Sequence, residues 1–289
     1  MATRMSTGST LGSLLGKTLA GRWVAGAGIN DAILRAESLN SMGMGVILNY
    51  LGEEFTKQGD VEETVLTYMR LINKIARERV VAGISLKPTQ LGLRIGRRLA
   101  ERNYNKIVRA ARGKNVFVWL DMEAYDAVDA TISMYARQVA RRGVGIALQA
   151  SLKRSQDDAK RIVGMKGVVR LVKGAYQEPR KIGVGGSKEV THSYLRIMNY
   201  LFRNSDEFTI ATHDGPLIRE AMSLNRSYRR NVTYAMLNGI RNRYAQRLAA
   251  TNNSVAIYVP FGARWLDYAS RRLREQGHAA LVLRSMLGG

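Results

Sequence analysis

The sequence predicts a (β/α)₈ TIM-type barrel with a short helical N-terminal lead-in. Eight short apolar segments alternate with helical patterns over the 289 residues, as in folds whose parallel strands are joined by helices. The strand-like segments are apolar throughout rather than alternating, which fits strands buried on both faces. An open doubly wound sheet is the alternative, but no G-x-G-x-x-G turn follows the first strand, which counts against it.

The elements can be placed in order along the chain. A lead-in helix from Ala20 to Leu39 repeats apolar residues helically behind Asn30 and Asp31, the predicted N-cap. Predicted strands cover residues 45–50, 81–86, 116–120, 144–149, 168–172, 208–211, 232–237 and 255–259. The helices between them cover 61–79, 91–107, 125–140, 156–163, 190–202, 216–224 and 240–250. The run from Pro260 to Gly262 ends the last strand before a final helix.

The final helix carries an unusual set of polar side chains. Tyr268, Arg271, Arg272 and Glu275 lie at spacings of three, four and seven residues, which places them on one helix face. Adjacent guanidinium groups can each donate two parallel hydrogen bonds, which suits a carboxylate or phosphate ligand. A solvated basic face would have the same composition, so the rest of the chain must decide between these interpretations.

Composition limits the kinds of metal site, disulfide and binding partner that the protein can have. The chain has no cysteine and three histidines, so disulfides and thiolate or multi-histidine metal sites are not expected. Lys and Arg number 45 against 23 Asp and Glu, and the net charge of +22 favours nucleic acid or an anionic membrane face. The basic residues are spread along the chain without an aromatic-basic motif. We therefore expect that the protein does not bind a specific nucleic acid.

The chain is expected to have two parts. Residues 1–19 lack acids and are rich in Ser, Thr and Gly, which predicts a flexible basic tail rather than a transit peptide. Residues 20–289 form the barrel. No apolar run has the length needed to span a bilayer. We expect a cytoplasmic protein whose basic surface allows peripheral contact with the anionic inner face of a membrane.

Polar side chains occur where the predicted strands end, and barrel chemistry lies at these carboxyl ends. The residues in such positions are Lys87, Asp121, Met122, Glu123, Gln149, Arg170, Lys173, Gly174, Ala175, Tyr176, Thr212, His213, Asp214 and Tyr258. Inward cations outnumber acids in this set once the arginines of the final helix are added. The mouth of the barrel is therefore predicted to hold an anionic ligand.

Six segments resemble proline dehydrogenase, a flavin-dependent barrel enzyme. They are ISLKPTQLG (84–92), VWLDMEAY (118–125), VGIALQASLKR (144–154), VRLVKGAYQEP (169–179), ATHD (211–214) and YVPFG…YASRRLRE (258–275). The resemblance runs from Gly21 to Gln276. It implies a monofunctional enzyme that oxidises L-proline to Δ1-pyrroline-5-carboxylate with FAD and passes the electrons to a quinone.

The resemblance also implies roles for single residues at the reaction centre. Lys87, Arg271 and Arg272 would hold the proline carboxylate. Asp121 would belong to the active centre and order Lys87, and Arg170 would lie beside the N5 region of the flavin. The base that deprotonates the substrate amine is not implied.

The remaining implied residues form the pocket walls and the cofactor site. Tyr258 and Tyr268 would wall the substrate pocket. FAD would be bound by the backbone of Met122 and by Gln149, Lys173, Gly174, Ala175, Thr212 and His213. The sequence departs from the family at Asp214, where Asn is common. No metal is implied.

Two other functions stay open. A related flavin barrel could act on another imino or N-alkyl amino acid or resemble methylenetetrahydrofolate reductase, although the paired arginines favour an amino-acid carboxylate over a folate. The other alternative is a basic nucleic-acid-binding protein with a degenerate barrel. The retained polar residues at the strand ends argue against it.

Overall fold

The computed structural model describes residues 23–176 and 178–264, which contain a closed barrel of eight parallel strands. The strands are β1 Gly45–Tyr50, β2 Ala82–Leu86, β3 Val118–Leu120, β4 Val144–Gln149, β5 Val168–Val172, β6 Glu207–Ala211, β7 Asn231–Leu237 and β8 Ser254–Phe261. Each strand pairs with the next, and β8 closes onto β1 with Tyr258 opposite Ile47. The predicted (β/α)₈ barrel is confirmed.

The first helix precedes β1, and the helices after it connect successive strands on the outside of the barrel. The helices are α1 Ile29–Asn40, α2 Gln58–Glu78, α3 Arg97–Arg112, α4 Val128–Ala136, α5 Ser155–Gly164, α6 Ser187–Asn204, α7 Gly215–Tyr228 and α8 Asn242–Ala250. Short 3₁₀ turns flank α4, where the sequence predicts one helix over residues 125–140. The predicted tail over residues 1–19 and nearly all of the predicted final helix lie outside the described residues. Within the described ranges, no helix is both long and apolar enough to cross a membrane.

The main hydrophobic core lies between the sheet and the helices. Along α2, Val61, Val65, Tyr68, Ile72 and Ile75 recur every three or four residues and are almost fully buried. Strand residues that point away from the barrel axis belong to the same core, among them Val46, Leu48, Ile84, Leu86, Val118 and Leu120. The inward-facing positions of the strands belong to a separate set of side chains.

A second, smaller cluster fills part of the barrel interior. It contains Ile47, Trp119 and Ala256, and Tyr258 packs against it. Gly145 on β4 makes room for the indole, since a Cβ there would lie 2.6 Å from Trp119 Cε3. A glycine on one strand thus accommodates a large ring from its neighbour.

Gly145→Ala is expected to lower the free energy of unfolding by about 1–3 kcal/mol, because a rigid indole must move to admit the methyl group. Gly164→Ala at the end of α5 is the matched control, since its Cβ would meet nothing within 4 Å. That substitution should leave stability unchanged or raise it. Urea unfolding of both variants measures the difference, and equal stabilities would contradict the proposed packing.

Two predicted helix starts are wrong. The helix predicted from residue 91 begins at Arg97, because Gly92 has φ +100°, which an α-helix does not contain. The lead-in helix begins at Ile29 rather than Ala20. Its N-cap is Gly28, whose N–H donates to the Asp31 carboxylate at 2.9 Å, so the acid acts from inside the first turn.

Pro260 does not end the last strand. Strand β8 continues to Phe261, with Pro260 opposite Asn49 of β1. On the other side, β7 has already ended at Leu237 opposite Tyr258. Pro260 therefore has one strand neighbour instead of two, and a proline without an N–H is tolerated at such an edge position.

Candidate active site

A buried cluster of polar side chains lies at the carboxyl ends of β2, β3, β5 and β8. Asp121, directly after β3, accepts hydrogen bonds from Ser85 Oγ at 2.7 Å, from the Tyr258 hydroxyl at 2.9 Å and from Arg170 Nη2. Lys87 Nζ lies 3.6 Å from the second carboxylate oxygen. The structure therefore brings together four of the predicted site residues from four strands.

The Arg170 guanidinium lies between two aromatic rings. Its Cζ is 4.9 Å from the centroid of the Trp119 ring and 5.4 Å from that of Tyr258, at distances where an aromatic face stabilises a cation. Nη2 also donates to Ser85 Oγ at 3.1 Å. Nη1 is buried and has no hydrogen-bond partner among the described residues. Because an unpaired buried donor costs free energy, Nη1 is suited to donate to a bound molecule.

The charges of the cluster set its protonation. Burial alone would raise the pKa of Asp121, but Arg170 and Lys87 outweigh it and hold this pKa below its ordinary value. Burial alone would lower the pKa of Lys87, but the Tyr176 side chain and Asp121 outweigh it and hold this pKa well above its ordinary value. Burial also raises the pKa of Tyr258 well above its ordinary value. At neutral pH the cluster holds a carboxylate, two cations and a neutral phenol.

The lowered pKa of Asp121 predicts a pH dependence of stability. An unfolded Asp titrates near ~3.9, so between that value and the lower folded pKa only the unfolded chain is protonated at this position. The stability that ionised Asp121 contributes is therefore present above about pH 4 and lost as the pH falls through the folded pKa. Below about pH 4, the free energy of unfolding should fall more steeply in the wild type than in Asp121→Asn. The free energy of unfolding is measured by urea titration at a series of pH values. An equal dependence on pH in the two proteins would contradict the lowered pKa of Asp121.

Glu123 fixes the segment that follows Lys87. Its carboxylate is fully buried and accepts hydrogen bonds from the Thr89 backbone N–H at 2.8 Å and from the Thr89 hydroxyl at 2.6 Å. Burial raises the pKa of Glu123. Its backbone carbonyl accepts a hydrogen bond from Gln149 Nε2 at 3.0 Å. Glu123 thus ties the loop after β2 to the ends of β3 and β4.

Ser85 and Trp119 were not predicted as site residues, and Glu123 was placed at the mouth of the barrel without a role. Ser85 lies two residues before Lys87, and Trp119 lies two residues before Asp121. Side chains two residues apart on a strand point to the same side. This spacing could therefore have indicated that Ser85 and Trp119 lie beside Lys87 and Asp121. For Glu123, the hydrogen bonds to Thr89 leave no signal in the sequence.

The residues predicted to bind the cofactor lie along the ends of β3 to β6. Met122, Gln149, Thr212 and His213 are buried, Lys173 is half-buried, and Gly174 and Ala175 are exposed. Gly174 has φ +113°, and a Cβ there would lie 2.9 Å from Ser151 Cβ and 3.3 Å from Gln149 Cβ. Only glycine fits this position, which leaves an exposed stretch of backbone that a ligand can approach closely.

Lys173 forms an ion pair with Asp214, which stands where Asn is common in the family. Lys173 Nζ lies 2.7 Å from Asp214 Oδ2. Asp214 also caps α7, since its Oδ1 accepts a hydrogen bond from the Leu217 backbone N–H at 3.2 Å. The acid therefore supplies a counter-charge to Lys173 that an Asn would not.

The expected excess of inward cations over acids depends on Arg271 and Arg272, which lie outside the described residues. Lys87 and Arg170 both pair with Asp121, and Lys173 has its own carboxylate partner. Within this part, no group of three or more His, Asp or Glu side chains is arranged to hold a metal ion. The remaining predicted site residues, Tyr268, Arg271 and Arg272, lie outside the described residues.

Known proteins similar to this chain carry one family name. Residues 32–284 match the proline dehydrogenase family. The chain is 30% identical over 272 residues to proline dehydrogenase 1 of Bacillus subtilis subsp. natto, with 92% of this chain and 90% of that protein covered. It is also 30% identical over 281 residues to the proline dehydrogenase of Deinococcus radiodurans, with 94% and 91% covered.

The fold is also similar to that of larger proteins. Proline utilization A from Bdellovibrio bacteriovorus superposes with a TM-score of 0.84 at 20% identity. The match covers 93% of this chain and 34% of the other, so the chain spans about a third of the length of that protein. The family match over residues 32–284 and the 30% identity to a relative over most of its length show that this chain belongs to the proline dehydrogenase family.

Proposed function

We propose that the protein oxidises L-proline to Δ1-pyrroline-5-carboxylate with FAD and passes the electrons to a quinone. The observation that carries the proposal is the convergence of Lys87, Asp121, Arg170 and Tyr258 at the barrel mouth, around a buried guanidinium donor without a partner in the described residues. The net charge of +22 supports peripheral contact with the anionic inner face of a membrane, where a quinone would be met.

The family implies a flavin cofactor, and two observations fit one. Arg170 Nη1 can donate to an acceptor of a flat ring, and the exposed backbone at Gly174 lets a ligand approach closely. When bound, a flavin supplies the acceptor for the hydride that leaves the substrate carbon. By their places on the rim, we assign FAD binding to Met122, Gln149, Lys173, Gly174, Ala175, Thr212 and His213.

Lys87 would hold the substrate carboxylate. Its ammonium lies 3.6 Å from Asp121 and 3.9 Å from Glu53, and the side chain is 19% exposed. Three donors and two long ion pairs leave Lys87 able to bind a further carboxylate. From their spacing in the sequence, Arg271 and Arg272 would complete the clamp with bidentate hydrogen bonds. Such a clamp fixes one end of a small ring for reaction.

Asp121 and Tyr258 would order the pocket. The ionised carboxylate orients Arg170, Lys87 and the phenol through the contacts described above. Because its pKa is well above the ordinary value, Tyr258 keeps its proton, and its hydroxyl donates a hydrogen bond to Asp121 Oδ2. Its role, together with that of Tyr268, is therefore to wall the pocket and not to act as a base.

Steady-state turnover with an artificial electron acceptor tests the proposed substrate. L-Proline should give a kcat/KM about tenfold or more above D-proline, because a clamp on the carboxylate presents a single face of the ring to the acceptor. It should exceed N-methylglycine by a similar factor, because that compound lacks the ring carbons that the pocket walls would contact. A higher kcat/KM for N-methylglycine would favour the alternative of an N-alkyl amino acid oxidase. Absence of turnover with all three compounds in flavin-loaded protein would overturn the proposal.

A further inference from the structure

Four arginines line a cleft at the end of the barrel opposite the candidate active site. Arg109 and Arg112 belong to the last turn of α3, and Arg137 and Arg141 follow α4. These segments lead into the amino ends of β3 and β4, whereas the candidate site lies at the carboxyl ends. The cleft measures about 220 Å³ and is lined by Asn105, Arg109, Arg112, Arg137, Gln138 and Arg141. We call it the arginine cleft.

No carboxylate belongs to the described residues that line the arginine cleft. Arg137 Nε is 3.8 Å from Glu101, but that acid also pairs with Arg97 at 3.0 Å. Arg109, Arg112 and Arg141 form no ion pair with any residue in the described ranges. Positive charges this close repel one another, so a bound anion would stabilise the arrangement.

Arg112 provides a second, independent observation. Its Nε is buried and has no hydrogen-bond partner in the described part of the chain. Its Nη2 makes only a long contact of 3.4 Å with the Arg142 carbonyl. A buried N–H without a hydrogen bond costs free energy unless another acceptor completes it.

The two walls of the cleft are held together. Gln138 Nε2 donates to Asn105 Oδ1 at 2.7 Å and so joins the segment after α4 to α3. A helix dipole favours cations at its carboxyl end, which accounts for Arg109 and Arg112 on their own. It also accounts for Arg137, which caps the end of α4, but it does not explain why arginines from two segments converge on one cleft.

We propose that the arginine cleft binds a phosphate-bearing anion, either a lipid headgroup or a soluble phosphate compound. Planar guanidinium groups match phosphate oxygens with paired hydrogen bonds. The cleft is smaller than the ~300–1,000 Å³ typical of sites for drug-sized ligands, which suits a phosphate group. This inference does not rest on the proposed oxidation of proline, and proline turnover should be the same with the cleft removed.

The test compares two variants of the full chain that lose the same charge. The cleft variant, Arg109→Gln with Arg112→Gln, removes two of the four arginines that line the cleft. The control, Arg203→Gln with Arg226→Gln, removes two arginines from the last turns of α6 and α7. Titration calorimetry with inorganic pyrophosphate should show binding to the wild type and the control, and binding about tenfold weaker to the cleft variant. Arg109→Gln alone, at an exposed position, gives the same comparison if the double variant does not fold.

Flotation with vesicles of phosphatidylglycerol and phosphatidylcholine separates the two sources of phosphate. Loss of vesicle binding by the cleft variant and not by the control identifies a lipid headgroup. Equal vesicle binding by both, with pyrophosphate binding lost only in the cleft variant, identifies a soluble compound. The proposal is overturned if the cleft variant and the control behave alike with both probes, because the effect would then be one of net charge.

Discussion

An Asp121→Ala variant should unfold with a free energy about 3–5 kcal/mol below that of the wild type, because it leaves a buried cation without its counter-charge. Asp121 is 7% exposed and pairs with Arg170 and Lys87, which are also largely buried. Removal of the carboxylate also takes away the acceptor of hydrogen bonds from Ser85 and Tyr258. Chemical denaturation monitored by circular dichroism measures the loss, and proline oxidation should be abolished.

The matched control for this variant is Asp206→Ala. Asp206 pairs with Arg230 at 2.9 Å, but its side chain is 98% exposed, so water replaces the lost partner. Stability should change little. If both substitutions had similar effects, the polar cluster at the barrel mouth would not be the buried, mutually dependent unit described above.

Arg170→Lys should lower kcat/KM for L-proline by roughly 100- to 1,000-fold, the loss typical of one preorganised donor in an active site. A lysine keeps the charge but has no planar fork. It cannot bond Asp121 and Ser85 through one nitrogen while a second nitrogen stays available, as Arg170 Nη1 does. The contacts that the guanidinium makes with the Trp119 and Tyr258 rings would also be weakened.

The control for Arg170→Lys is the same exchange at Arg230. Arg230 donates to Asp206 at 2.9 Å and to the Phe202 carbonyl at 3.0 Å, at the opposite end of the barrel. Its replacement by lysine should leave kcat/KM unchanged. Unchanged kcat/KM in Arg170→Lys, with flavin content equal to that of the wild type, would remove Arg170 from the proposed reaction centre.

Much of the fold was predictable because the barrel repeats one simple pattern. The predicted and observed bounds of β1, β4 and β5 are the same. Each is a short apolar run that is interrupted where the chain must turn, so composition alone marks its ends. Closure of eight parallel strands then places all their carboxyl ends on one rim. This is why Lys87, Asp121, Arg170 and Tyr258 could be placed together before their contacts were known.

The sequence could not predict how side chains from distant strands fit one another. Nothing in the local pattern indicates that Glu123 bonds Thr89, or that Gly145 leaves space for Trp119. These contacts depend on strand register and side-chain direction across the barrel. The same limit explains Pro260, whose place in β8 depends on where β7 stops. The sequence also contains no sign that Lys87, Arg170 and Lys173 each have a carboxylate partner contributed by another segment.

The decisive experiment is an anaerobic titration of the purified protein with L-proline, followed through the visible absorption of its flavin. If Lys87, Asp121, Arg170 and Tyr258 hold proline for oxidation, the absorption should bleach on addition of L-proline in the wild type, and much more slowly in Arg170→Lys. A flavin that dithionite reduces but saturating L-proline leaves unbleached would contradict the proposed reaction.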